Sequence, residues 1–414
     1  MRTNWSGTVD FTVPLALPTR VAEVQELMRT HDRVLAIGSA HSFSSAAVAP
    51  GLHIGTAHLA GDVEIAPDRN CVNVPAGMRY AELGPVLYAE GLALAAMASL
   101  PHISVGGAVA TGTHGSGDAI GTLSSAVTAL EVVTPDGNLR WVRRGTDDDF
   151  DGWVVALGAL GVVTRVALAV EPAYDVVQSV LVGLDLDVVE ERFDDVFGAA
   201  TSVSVFTRWR PEPDAQLWLK RRVDREGAWP GAPDFGARLS ARKMHPLEDL
   251  DPVHCTEQGL AGPWHERLPH FKAEFTPSSG DEIQAEYLLP RANAVQGIRA
   301  VRAIASRITP LLHVTEIRTM RADDLWLSPA YGRDTVGIHF TWHKDERIFD
   351  VLPAIEEALL PLGARPHWGK VTVASPEQIV AAYPRFEDFR NLLNVTDPTG
   401  KCRSAVVESL MNAY

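Results

Sequence analysis

Cysteine is scarce in this sequence. The three cysteines, Cys71, Cys255 and Cys402, lie far apart along 414 residues and form no Cys-x-x-Cys pair. Zinc ribbons, iron–sulfur clusters and disulfide frameworks need cysteines at closer or paired spacings, so the sequence argues against all three. We therefore expect a protein of a reducing compartment.

Positive charge is also in short supply. The chain has 37 lysines and arginines against 52 aspartates and glutamates, which gives a formal net charge of −15. Proteins that bind nucleic acids or anionic membranes in a general way need a basic surface for the phosphates. This composition disfavours both classes and leaves small neutral substrates open.

Long apolar runs are missing as well. The uncharged stretches 91–113 and 152–164 approach the length of a membrane span, but the first contains Pro101 and Gly106-Gly107 and the second has only thirteen residues. Both are better interpreted as buried core. The opening segment "MRTNWSGTVDFTVP" lacks the apolar stretch of a secretory signal. The expected location is the cytoplasm, with neither a membrane nor a nucleic acid as partner.

The pattern of the chain changes twice. Between about residues 21 and 168, short β-branched runs alternate with helical patterns, and "TPDGNLRW" predicts a hairpin in which Gly137 supplies a positive φ. From Glu171-Pro172 onward, alternating strands predict a large antiparallel sheet. The strands predicted there are "SVSVFTRW", "AQLWLKRRV", "FKAEFT", "AEYLLP", "VTEIRT" and "VGIHFTWHK". The final 45 residues return to short mixed elements.

Glycine is concentrated in one segment. "ISVGGAVATGTHGSG", residues 103–117, holds five glycines and four hydroxyl side chains without a charge. Such a segment can bring many backbone N–H groups to a phosphate, or it can be a buried, tightly turned connector. It matches neither the Rossmann nor the P-loop spacing. A zinc site at His114 is disfavoured, because no carboxylate or cysteine lies at ligand spacing.

Two predicted strands carry polar residues on one face. Side chains alternate along a strand, so His339, Thr341 and His343 share a face, and so do Glu316 and Arg318. If both strands belong to one sheet, the two faces can converge as a functional site of carboxylate, guanidinium, imidazole and hydroxyl groups. Alternatively, they form a solvent-exposed surface with cross-strand ion pairs. A metal bound by the two histidines and Glu316 is disfavoured. In "RPHWGK", Lys370 is a surface lysine unless the fold buries it.

Six segments follow one another in a specific order: "GSAHSF" (38–43), "MASLPHISVGGAVATGTHGSG" (97–117), "GALGVVT" (158–164), "TEIRT" (315–319), "HFTW" (339–342) and "PHWGK" (366–370). Together they resemble the bacterial alditol oxidases of the vanillyl-alcohol oxidase superfamily of flavoproteins. "GPWHERLPHF" and "WLSPAYGRDTV" extend the resemblance over essentially the full length.

The resemblance implies an α+β, two-domain vanillyl-alcohol-oxidase-like fold. Residues 1–172 would form a PCMH-type FAD-binding domain, and residues 173–370 a substrate domain with a large antiparallel sheet. Residues 371–414 would return to the FAD domain, and the protein would act as a monomer.

The resemblance also implies FAD as cofactor, bound covalently through His41, with small neighbours that leave room for the ring edge and the pyrophosphate. No metal is expected. The residues expected to contact the cofactor are Ile37, Gly38, Ser39, Ala40, His41, Ser42, Phe43, Ser99, Ser104, Gly107, Gly112, Thr113, His114, Gly115, Gly161, Val162 and His367.

By the same resemblance, a polyol such as xylitol or sorbitol is oxidised at its terminal hydroxyl by hydride transfer to flavin N5, and O₂ is then reduced to H₂O₂. Lys370, His339 and Arg318 are the expected catalytic residues. A lysine serves as the base only if burial or cationic neighbours lower its pKa. The expected substrate-binding residues are Ser99, Glu316, Arg318, His339, Thr341 and Lys370.

Two alternatives stay open. One is an aldonolactone oxidase of the gulonolactone type, in which a second histidine would follow the motif; this chain has Thr372 at that position. The other is a flavin- or sugar-binding protein without turnover, in which Lys370, His339 and Arg318 would not matter for activity.

Overall fold

The N-terminal part of the chain folds into small sheets beside short helices. The computed structural model describes residues 2–48, 51–227, 231–247, 250–275 and 281–413. The strands of this part are β1 (Arg2–Thr3), β2 (Asp10–Phe11), β3 (Leu15–Ala16), β4 (Val34–Ile37), β5 (Leu52–Gly55), β6 (Glu64–Ile65), β7 (Cys71–Pro75), β8 (Leu92–Ala93), β9 (Val127–Val133), β10 (Leu139–Arg143), β11 (Val162–Ala169) and β12 (Glu171–Pro172). The helices are α1 (Val21–Thr30), α2 (Tyr80–Ala89), α3 (Val105–Ala110) and α4 (Phe150–Val154).

These strands pair mainly in two sheets. One is parallel, in the order β3-β5-β4, and the other is antiparallel, in the order β10-β9-β11-β7-β6. The predicted hairpin joins β9 to β10, and Gly137 has a φ of +81° at its turn. A left-handed residue at this position favours glycine, so the turn prediction is confirmed together with its mechanism.

The middle of the chain forms one large sheet with helices on its apolar face. Its strands are β13 (Asp175–Leu184), β14 (Ser202–Thr207), β15 (Ala215–Arg222), β16 (Arg238–Leu239), β17 (Gly262–Pro263), β18 (Glu282–Pro290), β19 (Leu312–Met320), β20 (Thr335–His343) and β21 (Arg365–Pro366). Its helices are α5 (Leu186–Glu191), α6 (Phe193–Phe197), α7 (Val223–Glu226), α8 (Trp264–Arg267), α9 (Ala294–Ala303), α10 (Ala305–Ile308) and α11 (Ile348–Leu359).

In the described part of the chain this sheet has nine strands and is antiparallel, as predicted. Its order is β16-β13-β15-β14-β19-β20-β18-β21, and β17 pairs with β13. The register of β19 and β20 sets Glu316 opposite His339 and Arg318 opposite Gly337. The prediction that "VTEIRT" and "VGIHFTWHK" share one sheet is therefore confirmed.

One predicted strand is wrong. In "FKAEFT" the described residues form a single bridge, between Phe271 and Cys255, followed by a turn; Thr276 lies outside the described residues. The backbone N–H of Phe271 donates to Ser99 O and that of Lys272 to His254 O. Because these donors are taken by loops, alternation of apolar and polar residues did not produce a ladder here.

The C-terminal segment is helical rather than mixed. Residues 371–413 contain α12 (Pro376–Ala381), α13 (Phe386–Thr396) and α14 (Ala405–Asn412), with no strand in that range. Phe386, Phe389 and Leu393 are buried one helical repeat apart and pack into the core of the N-terminal part. The segment therefore covers the N-terminal part, while β21, which precedes it, belongs to the large sheet. Among the described helices, none is long and apolar enough to cross a membrane.

Glu356 joins the large sheet to the start of this segment. Its buried Oε1 accepts hydrogen bonds from the Tyr287 hydroxyl at 2.8 Å, the Thr372 hydroxyl at 2.7 Å and the Val373 N–H at 2.9 Å. One buried donor, the Tyr287 hydroxyl, and two partly buried donors thus converge on one oxygen.

We expect Glu356→Ala to lower the free energy of unfolding by about 1–3 kcal/mol, because it leaves the buried Tyr287 hydroxyl without an acceptor and removes two partly buried hydrogen bonds. Urea denaturation followed by far-UV circular dichroism measures this. Glu357→Ala, on the exposed side of the same helix, is the control and should change stability by less than about 0.5 kcal/mol. Equal losses in the two variants would contradict the role of Glu356.

Candidate active site

A continuous cavity lies between the N-terminal part and the polar face of the large sheet. Loops after β4, before and after α3, and between α4 and β11 form one wall. Strands β18, β19 and β20 form the other. Most of the predicted cofactor residues line it, namely Ile37, Gly38, Ser39, Ala40, His41, Ser42, Phe43, Ser99, Ser104, Gly107, Thr113, His114, Gly161 and His367.

Three predicted cofactor residues are not among the described residues that line the cavity. A Cβ on Gly115 would lie 2.4 Å from Met97 O, so this glycine serves close packing of two chain segments. Gly112 has a φ of +63° in a turn packed against Pro329. Val162 points into a hydrophobic cluster, while its strand neighbour Val163 faces the cavity, because side chains alternate.

Residues 38–39 form a close contact with Ser104 at the start of α3. Ser39 N–H donates to Ser104 Oγ at 3.3 Å, and Ser104 N–H donates to Ser39 Oγ at 3.1 Å. A Cβ on Gly38 would lie 2.1 Å from Ser104 Oγ, and one on Gly107 would lie 2.8 Å from it. A Cβ at position 38 would therefore displace the Ser104 hydroxyl and break this contact between the loops.

His41 is held by an unusual backbone turn. Ala40 has a φ of +56°, a left-handed conformation that costs a non-glycine residue on the order of 1 kcal/mol. Its carbonyl accepts from Trp5 N–H at 2.8 Å, and the Trp5 ring stacks on the His41 ring at a centroid distance of 5.5 Å. Burial lowers the pKa of His41 to about 4, so the imidazole is neutral at pH 7. Its Nδ1 is buried and has no hydrogen-bond partner in the described part of the chain.

The opposite wall is centred on Arg318. Its guanidinium donates to Glu286 Oε1 at 2.9 Å and to Ser99 Oγ at 3.2 Å, and it lies 3.5 Å from Glu316 Oε2. Burial alone would raise the pKa of Glu286 and of Glu316, but the Arg318 charge and neighbouring histidines hold both pKa values below the usual range. Two buried carboxylates therefore stay ionised next to one guanidinium.

The predicted base is also at this wall. Lys370 Nζ donates to Gln284 Oε1 and lies 5.3 Å from the centroid of the Phe43 ring. Burial lowers the pKa of Lys370 to about 8, with a contribution from the charge of Arg318. Burial likewise lowers the pKa of His339 to about 3. Both groups can therefore be neutral close to pH 8, as an acceptor of a proton must be.

The structure brings the predicted substrate residues together. Ser99, Glu316, Arg318, His339, Thr341 and Lys370 all line the cavity. Of the histidines considered, His343 is exposed at the end of β20, next to His313. The polar faces of β19 and β20 therefore form part of the wall of an enclosed cavity and not a solvent-exposed surface.

Comparison with known proteins identifies the family of this chain. The chain matches a family model described as an FAD binding domain over residues 14–143, and one described as D-arabinono-1,4-lactone oxidase over residues 281–410. It is 44% identical to an alditol oxidase of Streptomyces sp. over 417 aligned residues, which cover 99% of each protein. The chain belongs to the alditol oxidase family.

More distant relatives carry lactone names. An L-gulono-1,4-lactone dehydrogenase of Mycobacterium tuberculosis is 27% identical over 95% of both proteins. An L-gulonolactone oxidase of Bos taurus is 25% identical over 98% of this chain and 97% of the relative. Membership of the alditol oxidase family makes the chain an oxidoreductase with an FAD-binding domain and confirms the α+β fold class inferred from its motifs.

The cavity fits the FAD that the family implies. Its loop wall is lined by glycines and other small residues. A Cβ on Gly38 would lie 2.1 Å from Ser104 Oγ, and one on Gly161 would lie 2.3 Å from Val133 O. Glycines and small side chains let a ligand approach the backbone closely. His41 lines this same space, and its buried Nδ1 has no hydrogen-bond partner among the described residues. These residues would hold the cofactor.

Some residues of the site were not predicted from the sequence. Glu282, Gln284 and Glu286 line the cavity from β18, and their alternation with Ile283 and Ala285 was a period-two signal in "EIQAEY". Trp5 and His270 carried no comparable signal, because loops and chain ends bring them to the site.

The expectation that the protein binds no metal concerns three residues that only the fold brings together. His114, Glu286 and His367 offer ligand atoms within 4.8 Å of one another, although Glu286 and His367 are far from His114 in sequence. Arg318 Nη2 lies 2.9 Å from the same Glu286 oxygen that lies 3.2 Å from His114 Nε2. A divalent cation would have to displace this ion pair, so the absence of a metal stays a prediction.

We expect Arg318→Met to lower the free energy of unfolding at pH 7 by about 3–5 kcal/mol, because Glu286 and Glu316 would be buried without their counterion. Without the guanidinium, burial raises both pKa values above their unfolded values, so the loss should shrink as the pH falls to 5. Denaturant unfolding at the two pH values measures this. The exposed Arg321→Met is the control, and a loss independent of pH would contradict the assignment.

Proposed function

We propose that this chain is an FAD-dependent alditol oxidase that converts the terminal CH₂OH of a polyol such as xylitol or sorbitol to the aldehyde of the aldose, with O₂ reduced to H₂O₂. The proposal is carried by the convergence of Glu316, Arg318, His339, Thr341 and Lys370 on the cavity that also contains His41. Many polar groups on a buried wall suit a substrate with many hydroxyls, since each hydroxyl needs a partner when it leaves water.

Lys370 is the proposed base. When bound, FAD supplies the acceptor for the C1 hydride. One N–H of the neutral amine donates to Gln284 Oε1, so the lone pair of Nζ is left for the proton of the C1 hydroxyl. The lowered pKa of Lys370, about 8, keeps part of the enzyme in this form near neutral pH.

His339 and Arg318 orient the same hydroxyl. His339 Nε2 is buried and lacks a hydrogen-bond partner among the described residues, so it is free for a substrate oxygen. Arg318 is fixed by Glu286, and its positive charge stabilises negative charge that develops on the oxygen as the proton leaves. Glu316, Thr341 and Ser99 then accept or donate hydrogen bonds to the remaining hydroxyls, which supports discrimination between epimers.

A lactone substrate is the second candidate, favoured by the family model matched by residues 281–410. Thr372 stands where the lactone motif would have a second histidine. Its hydroxyl donates to Glu356 Oε1 at 2.7 Å, and it is not among the described residues of the cavity wall. This orientation supports the alditol over the lactone.

We expect the limiting rate of flavin reduction by xylitol to rise with pH through an apparent pKa near 8, because the deprotonated Lys370 is the active form. Lys370→Met should lower the rate at pH 8 by about 100-fold or more and remove this pH dependence. Anaerobic stopped-flow spectroscopy between pH 6 and 10 measures both.

Lys401→Met is the matched control, because its ammonium bonds Met28 O away from the cavity, and its profile should equal that of the wild type. Peroxide release is measured with xylitol, sorbitol and L-gulono-1,4-lactone in parallel. A preference for the lactone, or a Lys370→Met variant with the wild-type rate, would refute the proposal.

We also propose that His41 carries the flavin covalently. Its neutral imidazole and buried, unpartnered Nδ1 support a role as the residue that would hold the flavin through its 8α carbon. The new bond would replace a C–H bond of that carbon, the flavin would take up the two electrons, and O₂, the acceptor of the proposed oxidase, would remove them. We expect flavin absorbance to remain with the acid-precipitated, washed wild-type protein and to be released from His41→Ala. His53→Ala, another buried histidine, is the control and should retain the colour. Release of flavin from the wild type would exclude the covalent bond while leaving the oxidase open.

A further inference from the structure

The two carboxylate oxygens of Glu316 have different surroundings. Oε1 accepts from His270 Nε2 at 2.9 Å and from the Ser204 hydroxyl at 2.8 Å. Oε2 lies 3.5 Å from Arg318 Nη1 and 3.9 Å from His339 Nδ1, the two groups that orient the substrate. One oxygen is therefore occupied by donors of the protein, and the other faces the reacting groups.

We propose that His270 is a positioning residue that holds Glu316 Oε1, so that Oε2 is presented to an inner hydroxyl of the polyol. This inference rests on the proposed function, since it concerns how the same site selects its substrate. His270 acts through Glu316, and its role is in binding and selectivity rather than in proton or hydride transfer.

The surroundings of His270 fix the orientation of its ring and determine which ring nitrogen carries the proton. The ring stands nearly perpendicular to those of Phe206 and Trp218, each at a centroid distance of 5.3 Å. Burial, followed by the charge of Lys220, lowers the pKa of His270 to about 4, so the imidazole is neutral at pH 7. A carboxylate accepts hydrogen bonds and cannot donate them, so the single proton must be on Nε2.

The loop that carries His270 is tied down on both sides. The N–H groups of His270 and Phe271 both donate to Ser99 O, at 3.1 and 3.3 Å. The buried Lys220 Nζ donates to the carbonyls of Leu268 and Pro269. The loop thus fixes the backbone of Ser99 and the side chain of Glu316 together, two groups proposed to bind hydroxyls.

This loop belongs to "GPWHERLPHF", a motif that the cofactor and substrate assignments leave without a role. The motif has two histidines in different surroundings. His265 packs against Tyr88 and Trp264 and is not among the described residues of the cavity wall, whereas His270 lines the cavity. The two histidines provide a matched comparison.

The test uses the flavin-loaded enzyme and two substrates with five carbons, xylitol and 1,5-pentanediol. Both have terminal CH₂OH groups, but the diol has no inner hydroxyl for Glu316. Anaerobic stopped-flow flavin reduction gives the apparent Kd and the limiting rate separately for wild type, His270→Leu, His270→Gln and His265→Leu.

We expect His270→Leu to raise the apparent Kd of xylitol about 10-fold or more, because Glu316 loses a donor that orients it. The limiting rate and the Kd of 1,5-pentanediol should change less than about threefold. His270→Gln should recover most of the affinity, because its amide can donate to the carboxylate. His265→Leu should match the wild type.

An unchanged Kd of xylitol in His270→Leu, or an equal loss for both substrates, would overturn the inference. If the leucine variant does not fold, Ser204→Ala decides, since it removes the other donor to Oε1 and should raise the Kd of xylitol selectively. A wild-type enzyme whose flavin xylitol does not reduce would instead refute the proposed function, so the two failures are distinguishable.

Discussion

The ion cluster around Arg318 is the interaction on which the functional wall depends. Arg318 and Glu316 come from β19 and Glu286 from β18, with β20 between these two strands. Each charge is buried, and each would be strongly unfavourable alone because desolvation exceeds what a single weak contact returns. The cluster is stable only when all three strands are in register. The register that satisfies the charges is thus the register that forms the polar wall of the cavity.

The same cluster separates the protonation states of the site. Burial pushes every ionisable group there toward its neutral form. The guanidinium outweighs burial for the carboxylates, whereas burial outweighs the attraction of the carboxylates for His339 and Lys370. Glu286 and Glu316 therefore remain anionic, while His339 is neutral and Lys370 becomes neutral close to pH 8. One environment provides both fixed hydrogen-bond acceptors for hydroxyls and a base that can take a proton.

The two walls of the cavity meet through backbone contacts of distant segments. Phe43 N–H donates to Gly369 O at 2.7 Å, and the Ser44 hydroxyl donates to Trp368 O at 2.6 Å. These bonds join the loop of His41 to the loop of Lys370, two residues that line the cavity from opposite walls. A shift of either loop would therefore move the other.

Several local features of the fold, and the family of the protein, were determined by the sequence itself. Adjacent residues were sufficient to predict the Gly137 hairpin. They were also sufficient to predict that Glu316 shares a strand face with Arg318, and His339 with Thr341, because side chains alternate along a strand. The ordered motifs were sufficient for the family. Tertiary structure decided the partners: Glu286 for Arg318, Gln284 for Lys370, Trp5 for His41 and His270 for Glu316. Contacts between distant segments leave no periodic signal, and burial, which sets the pKa of Lys370, exists only after the sheet and the loops have packed together.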